Sequence, residues 1–163
     1  MIDTVRTQTP PVTIRPATAA DFDAIETLLR ESDLPTVGIR ESVCSLLVAE
    51  AESRIVGVVG MEACGAYGLL RSTAVAPAWR GHRVARHLVE RIIGEAESRG
   101  VRALYLLTTT AETYFPSFGF QAAPRAAAPG EIRATSEFTA ACPASATLMC
   151  LTLPAAPAAA ARC

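Results

Sequence analysis

One junction constrains what this chain can fold into: an apolar strand runs through a basic, glycine-containing turn directly into a long amphipathic helix. We predict the strand over 67–75, the turn at Arg80-Gly81-His82-Arg83, and the helix over 84–99. The first turn of a helix leaves backbone N–H groups without intrahelical partners, and the helix dipole makes that end electropositive. Because cationic side chains crowd the same turn, the junction predicts an anion site suited to a phosphate group.

The elements around this junction predict a mixed α/β domain. Alternating or continuous apolar runs indicate strands, and apolar residues at helical spacing indicate helices. Further strands are predicted at 12–15, 45–51, 54–61, 101–109 and 145–153, and another is predicted to begin at Phe120. A first helix is predicted at 18–32, and short helical segments at 111–118 and 132–138. Turns are predicted at 52–53 and 62–66.

The chain is predicted to be one domain with extensions at both ends. Its 163 residues are enough for a hydrophobic core of ordinary size. Residues 1–11 read as a flexible lead that ends in two prolines, residues 12–153 as the folded domain, and residues 154–163 as a disordered tail of alanine and proline.

Charge and hydropathy exclude several classes of partner. Fifteen basic and sixteen acidic residues give a net charge of −1, which argues against nucleic acid or an anionic membrane surface as the main partner. No apolar run reaches the roughly 18 residues of a membrane span, and the first residues lack the apolar segment of a signal peptide. We therefore expect a cytoplasmic protein.

The cysteines do not indicate a disulfide framework or a metal site. Their number is odd and none are spaced as Cys-x-x-Cys, so no metal ligand set is predicted. The five are Cys44, Cys64, Cys142, Cys150 and Cys163.

The basic turn resembles the acyl-CoA pyrophosphate loop of the GCN5-related N-acetyltransferases (GNAT), which reads Arg or Gln, two residues, Gly, one residue, then Gly or Ala. Arg80 and Ala85 match its ends, whereas Arg83 stands at the central glycine, where we expect helical backbone angles. The segment 114–120, Tyr-Phe-Pro-Ser-Phe-Gly-Phe, is also similar to the family. The resemblance implies the GNAT fold over 12–153: a mixed, mostly antiparallel sheet flanked by helices, with splayed central parallel strands.

The resemblance further implies that acetyl-CoA is the cosubstrate and lies in the gap between the splayed strands, here those containing Leu69 and Leu104. Backbone groups of the strand before the loop would bind the pantetheine amides and the oxyanion, and the loop would bind the pyrophosphate. The implied coenzyme-binding residues are Thr73, Ala74, Val75, Arg80, Gly81, His82, Arg83, Val84, Ala85, Arg86, Thr109 and Tyr114.

The catalytic base and acid are open to two interpretations each. Family members commonly use a glutamate of the strand before the loop as the base, but 67–75 contains no carboxylate, so the candidate is Glu62 or no protein group at all. The family's tyrosine acid falls at Phe115 here, one residue after Tyr114. One residue on a helix is a rotation of about 100°, so either Tyr114 reaches in or solvent protonates the leaving thiolate. We favour solvent.

Arg71 is the candidate for acceptor recognition. Strand alternation places Tyr67, Leu69, Arg71, Thr73 and Val75 on one face of the sheet, and Leu70, Ser72 and Ala74 on the other. A lone arginine in an apolar strand is costly to bury unless it is paired or faces a cleft. It either pairs with Glu62 or holds an acid group of the acceptor, as arginine can do through two hydrogen bonds.

A more specific resemblance concerns the acceptor. Leu70-Arg71-Ser72, the strand end 106–112, the segment 132–138 and Cys142-Pro143-Ala144-Ser145 resemble N-acetyltransferases found with bacterial arsenic-resistance genes. This implies a small, amino-acid-like acceptor with amine and acid groups, bound by Glu62, Arg71, Ser72 and Arg133, and a role in arsenic resistance or detoxification. It also admits a homodimer.

Two other functions compete with acetyl transfer. One is a catalytically idle acyl-CoA-binding module, which the missing strand carboxylate and Phe115 both permit. The other is an arsenic-binding protein with thiolate ligands from Cys142 and Cys150, but the sequence brings no third thiol to them.

Overall fold

The computed structural model describes residues 10–40, 44–141 and 144–154, and in them seven strands form one sheet. The strands are β1 Thr13–Pro16, β2 Cys44–Ala51, β3 Arg54–Cys64, β4 Tyr67–Val75, β5 Ala103–Thr108, β6 Gln121–Ala123 and β7 Thr147–Thr152. Their order in the sheet is β1-β2-β3-β4-β5-β7-β6, and neighbouring strands are antiparallel except β4 and β5, which are parallel and central. The predicted GNAT fold class is confirmed.

Helices cover both faces of the sheet. They are α1 Phe22–Glu31, α2 Val84–Ser98 and the short α3 Gly130–Arg133. Adjacent strand residues point to opposite faces of the sheet. Leu47 therefore packs with the apolar residues of α2, whereas Leu46 packs with those of α1. The predicted apolar stripe of the main helix is buried, at Val84, Leu88, Val89, Ile92 and Ala96. No helix among the described residues has the length and apolar character needed to cross a bilayer.

The two central strands separate after a short paired stretch. β4 and β5 pair from Tyr67 with Ala103 to Leu69 with Tyr105. β4 continues to Val75 and β5 to Thr108, so their later residues diverge. This divergence opens a cleft in the middle of the sheet, as the family resemblance implied.

A β-bulge in β4 reverses its side-chain alternation. Val58 is opposite Ala74 and Gly60 is opposite Arg71, so Ser72 and Thr73 both stand opposite the one residue between them. Ser72 adopts a left-handed backbone with φ of 57°. The predicted alternation is therefore wrong beyond Arg71: Ala74 packs on the α1 side and Val75 on the α2 side.

Other boundaries also differ from the prediction. β3 extends to Cys64, which places Glu62 within the strand opposite Leu69 and not in a turn. The predicted helix at 111–118 is a 3₁₀ turn over Phe115–Phe118, because Pro116 lacks the N–H that a longer helix would use. The lead up to residue 9 and the tail from 155 lie outside the described residues.

Candidate active site

A cleft of about 350 Å³ occupies the gap between the diverging strands. One wall is β4 from Leu70 to Val75, and the opposite wall is the end of β5. The remaining lining comes from the segment after α1, from the start of α2 and from the later loops, at Ser32, Leu34, Arg80, Ala85, Thr110, Ala111, Tyr114, Phe115 and Glu137.

A second cavity of about 270 Å³ lies at the N-terminus of α2. Its lining includes the basic turn and the first helical residues. Four residues line both spaces, so the cavity adjoins the cleft: Val75, Arg80, Ala85 and Tyr114. Together they offer an elongated site that runs from the helix terminus into the gap between the strands.

The start of α2 presents backbone donors to this second cavity. The N–H of His87 donates to the carbonyl of Arg83 at 3.1 Å and begins the helical ladder. The N–H groups of Val84, Ala85 and Arg86 precede that bond, and all three residues line the cavity. The structure thus places the predicted anion site beside an open space.

Arg83 has a left-handed backbone, with φ of 61° and ψ of 19° at the N-cap of α2. The expectation of helical angles at this residue was wrong. The left-handed region is the one that glycine adopts without a Cβ penalty, which explains why the family motif has glycine at this position. Gly81, two residues earlier, also has positive φ, at 82°.

The cationic side chains of the turn have different surroundings. The Nε of Arg80 donates to the carbonyl of Val75 at 3.2 Å, which holds its guanidinium beside both spaces. Arg86 instead turns along the helix, where it pairs with Glu90 at 3.1 Å and stacks over Phe118 at 4.9 Å. Its contribution at the cavity is therefore its backbone N–H. His82 is exposed and packs against Trp79, and neither cavity includes it in its lining.

Most of the other predicted coenzyme residues line the cleft. Thr73, Ala74 and Val75 follow the bulge on its β4 wall. Thr109 is exposed just beyond the end of β5, and its neighbours Thr108 and Thr110 line the cleft in its place. The strand was predicted one residue too long at this end, which shifts the contacts.

Tyr114 lies where the cleft and the second cavity meet. Its ring packs edge-on against Phe115 at 5.5 Å and Phe118 at 5.4 Å. Partial burial raises the pKa of the Tyr114 phenol above its ordinary value, so the phenol keeps its proton at neutral pH but is a weaker acid than a free tyrosine. Phe115 is buried and also lines the cleft.

Arg71 is held between two carboxylates, and none of its side chain is exposed. Its Nη1 lies 3.3 Å from Glu62 Oε2, and its Nη2 lies 3.2 Å from Glu137 Oε2. Nη2 also donates to the Val37 carbonyl at 2.5 Å, and Nε to Ser72 Oγ at 3.4 Å. The contact with Glu62 is one of the two alternatives that the sequence left open. Glu62 itself is not among the residues that line the cleft.

Sequence reasoning missed Glu137, which this site brings next to Arg71 from 66 residues further along the chain. Glu137 begins a single π-helical turn, Glu137–Ala141, and is buried. Arg133 was predicted from the same segment, but it is exposed at the end of α3 and is not part of the cleft lining. The sequence shows only a glutamate next to the apolar Phe138, and it gives no sign that Glu137 is buried.

Within the described ranges, no three His, Cys, Asp or Glu side chains are placed to hold a metal ion. The Cys64 thiol is buried and donates to the Glu62 carbonyl at 3.5 Å, and the Cys150 thiol is half-buried. Cys142 and Cys163 lie outside the described residues, so the predicted arsenic-binding pair is not described.

Comparison with known proteins concerns both the sequence and the fold. Residues 42–122 match the model of the acetyltransferase (GNAT) domain. An acetyltransferase of the GNAT family from Staphylococcus aureus Mu50 superposes with a TM-score of 0.73 over 88% of this chain and 100% of that chain, at 13% identity. No protein of curated function matches the sequence.

Two further structures share the fold. N-acetylglutamate synthase from Neisseria gonorrhoeae, crystallised with coenzyme A and N-acetyl-glutamate, has a TM-score of 0.76 and 20% identity over 90% of this chain, which spans 36% of that protein. The ribosomal-protein-S18-alanine N-acetyltransferase of Escherichia coli has a TM-score of 0.71 and 20% identity, over 91% of this chain and 97% of that one.

Proposed function

Since the chain is an acyltransferase that carries the acetyltransferase domain of the GNAT family, we propose that it transfers the acetyl group of acetyl-CoA to the amine of a small acceptor molecule. The observation that carries this proposal is the continuous site made by the cleft between β4 and β5 and the adjoining cavity, which is lined by the first residues of α2. An elongated cofactor with an anionic centre and a thioester end fits such a site.

The coenzyme would lie along both spaces. Its pyrophosphate would accept hydrogen bonds from Val84, Ala85 and Arg86 at the positive end of the helix, with Arg80 beside it. The pantetheine arm would follow β4 past Val75 into the cleft. Coenzyme A was crystallised with the N-acetylglutamate synthase and with the PaiA N-acetyltransferase of Thermoplasma acidophilum, which supports this assignment.

In the reaction, a bond forms between the amine nitrogen and the thioester carbon, and the bond between that carbon and the coenzyme sulfur breaks. Backbone N–H groups at 73–75 would stabilise the oxyanion of the tetrahedral intermediate. The amine loses one proton and the coenzyme thiolate gains one. Because Glu62 is absent from the cleft lining, it could take the amine proton only through intervening water; the alternative is an acceptor that is already neutral.

Replacing Tyr114 by phenylalanine is expected to lower turnover by less than about a hundredfold, the lower end of the range expected for losing a general acid. The reason is that the coenzyme thiol is acidic, so its thiolate can leave without a positioned acid and take its proton from solvent, although Tyr114 lies between the two spaces. Steady-state kcat at saturating acetyl-CoA measures this. A larger loss, with unchanged melting temperature, would assign the proton transfer to Tyr114.

A second part of the proposal concerns the chemical class of the acceptor and the biological role of the protein. The resemblance of 70–72 and 132–138 to acetyltransferases found with arsenic-resistance genes supports an amino-acid-like acceptor and a role in arsenic resistance or detoxification. Near-neutral net charge supports a partner that is neither nucleic acid nor an anionic membrane surface. A cytoplasmic location is part of the same proposal. A homodimer is compatible with these features.

The alternative function is a catalytically idle acyl-CoA-binding module, and one pair of measurements separates the two. Calorimetry with acetyl-CoA reports binding, and release of free thiol in the presence of amino acids, amines and arsenic- or phosphorus-containing amino-acid analogues reports transfer. We expect both signals, with thiol release above the rate seen without an acceptor. Binding without release across the whole set would favour the idle module, and no binding would refute both functions.

A further inference from the structure

The charges that surround the acceptor end of the cleft are unequal. Among the described residues that line the cleft, the charged side chains are Arg71, Arg80 and Glu137. Arg80 also lines the second cavity and is bonded to the Val75 carbonyl, so it belongs to the coenzyme end. The acceptor end is left with Arg71 and Glu137, surrounded by neutral residues of the segment after α1 and the end of β5.

Arg71 is already engaged by protein groups. Its two terminal nitrogens contact Glu62, Glu137 and the Val37 carbonyl, and its Nε contacts the Ser72 hydroxyl. A guanidinium has five N–H donors in one plane, and three of them donate to Glu62, the Val37 carbonyl and Ser72, while Glu137 lies at ion-pair distance from Nη2. An acceptor carboxylate would have to displace a protein partner to gain the two parallel hydrogen bonds that arginine usually gives an acid.

The group as a whole carries a negative charge. Glu62 and Glu137 contribute two negative charges and Arg71 one positive charge, so the three side chains sum to −1. Glu62 and Glu137 expose only 16% and 8% of their side chains. Because water screens the charges of such buried side chains only weakly, the net negative charge favours binding of a cation nearby and disfavours binding of an anion.

We propose that Glu137 is the specificity-determining residue of the acceptor site and that it selects acceptors by their positively charged ammonium group. Of the two carboxylates, Glu137 is the one that lines the cleft, while Glu62 contacts Arg71 and is not part of the lining. The inference rests on the proposed acetyl transfer and names its acceptor class: a cationic amine that carries no acid group. Such an amine differs from the amino-acid-like acceptor that the family resemblance suggests, because it has no acid group to place beside Glu137.

A matched series of amines tests this inference in the full-length protein. Butylamine, 1,4-diaminobutane and 4-aminobutanoate share one carbon chain and differ in the group at the far end. With acetyl-CoA as donor, we expect kcat/KM to be at least about tenfold higher for the two cationic amines than for the zwitterion, the scale of one charged contact. Equal or better use of 4-aminobutanoate would overturn the proposal.

Variants of Glu137 assign the effect to this side chain. Glu137→Gln keeps the size and hydrogen-bonding capacity but removes the charge, so KM for butylamine should rise about tenfold or more while KM for acetyl-CoA changes less than about twofold. Glu137→Asp keeps the charge and should retain the preference for cations. The matched control is Glu131→Gln, since Glu131 is exposed in the same segment and is not part of the cleft lining.

The outcomes separate this inference from the proposed function. Equal losses in Glu137→Gln and Glu137→Asp for all three amines would reduce Glu137 to a structural role. Absence of thiol release with every member of the series would also overturn the inference. The proposed acetyl transfer fails only if acetyl-CoA does not bind or if no amine of the wider set is acetylated.

Discussion

Replacing Arg71 by methionine is expected to lower the free energy of unfolding by about 3–5 kcal/mol, the usual cost of removing one partner from a buried ion pair. The variant leaves Glu62 and Glu137 largely buried without their shared cation. It also removes the hydrogen bond to the Val37 carbonyl, which holds the segment after α1 against the sheet. Urea denaturation monitored by circular dichroism measures the loss.

Neutralising the carboxylates should reverse much of this effect. In a variant that combines Arg71→Met with Glu62→Gln and Glu137→Gln, no unpaired charge remains, so the total loss should be smaller than the sum of the separate losses by at least about 1 kcal/mol. Additivity within about 0.5 kcal/mol would mean that the three side chains do not act as a unit. If Arg71→Met kept normal stability and raised only the KM of an acidic acceptor, Arg71 would be the anchor for an acid group after all.

The second large effect concerns coenzyme binding. Combining Arg80→Ala with Ala85→Pro should weaken binding of acetyl-CoA by at least about a hundredfold, because each change removes one hydrogen bond to a charged group. Proline is tolerated in the first turn of a helix and removes only a donor that the helix does not use. Ala85 is a better position than Val84, whose side chain is buried in the core. Isothermal titration calorimetry gives the dissociation constants.

The control for this experiment is Arg83→Gly. Arg83 has a left-handed backbone that glycine adopts readily, so this variant should bind acetyl-CoA within about threefold of the unmodified protein and should unfold at the same or a slightly higher temperature. Unchanged affinity in the combined variant would show that the N-terminus of α2 does not hold the pyrophosphate. Loss of affinity in Arg83→Gly alone would instead assign the binding to the Arg83 side chain.

Local signals were enough to predict the strand, turn and helix at the junction of β4 with α2. The strand at 67–75, the turn around Gly81 and the helix from Val84 follow from apolar spacing within a short window. The donors at the start of α2 then follow from helix geometry alone, because every helix begins with N–H groups that it cannot satisfy. The order of strands and helices also sufficed for the fold class.

Tertiary structure decided the acceptor end. The β-bulge at Ser72 inserts one extra residue into β4, so the side chains after it point to the opposite faces of the sheet from those predicted. The alternation of apolar residues in the sequence gives no sign of this bulge. The left-handed angle of Arg83 is likewise set by how the turn joins β4 to α2.

The charge of the acceptor site depends on contacts between distant parts of the chain. Glu62, Arg71, Glu137 and the Val37 carbonyl come from four separate segments that meet only when the sheet and its covering loops are assembled. The sequence by itself therefore determined the fold class and a helix start at Val84 with backbone N–H groups outside the helical ladder, since those follow from short-range periodicity and helix geometry. Only the packed structure decided that Arg71 lies between Glu62 and Glu137 and that Glu137 lines the cleft, since these contacts depend on distances in space.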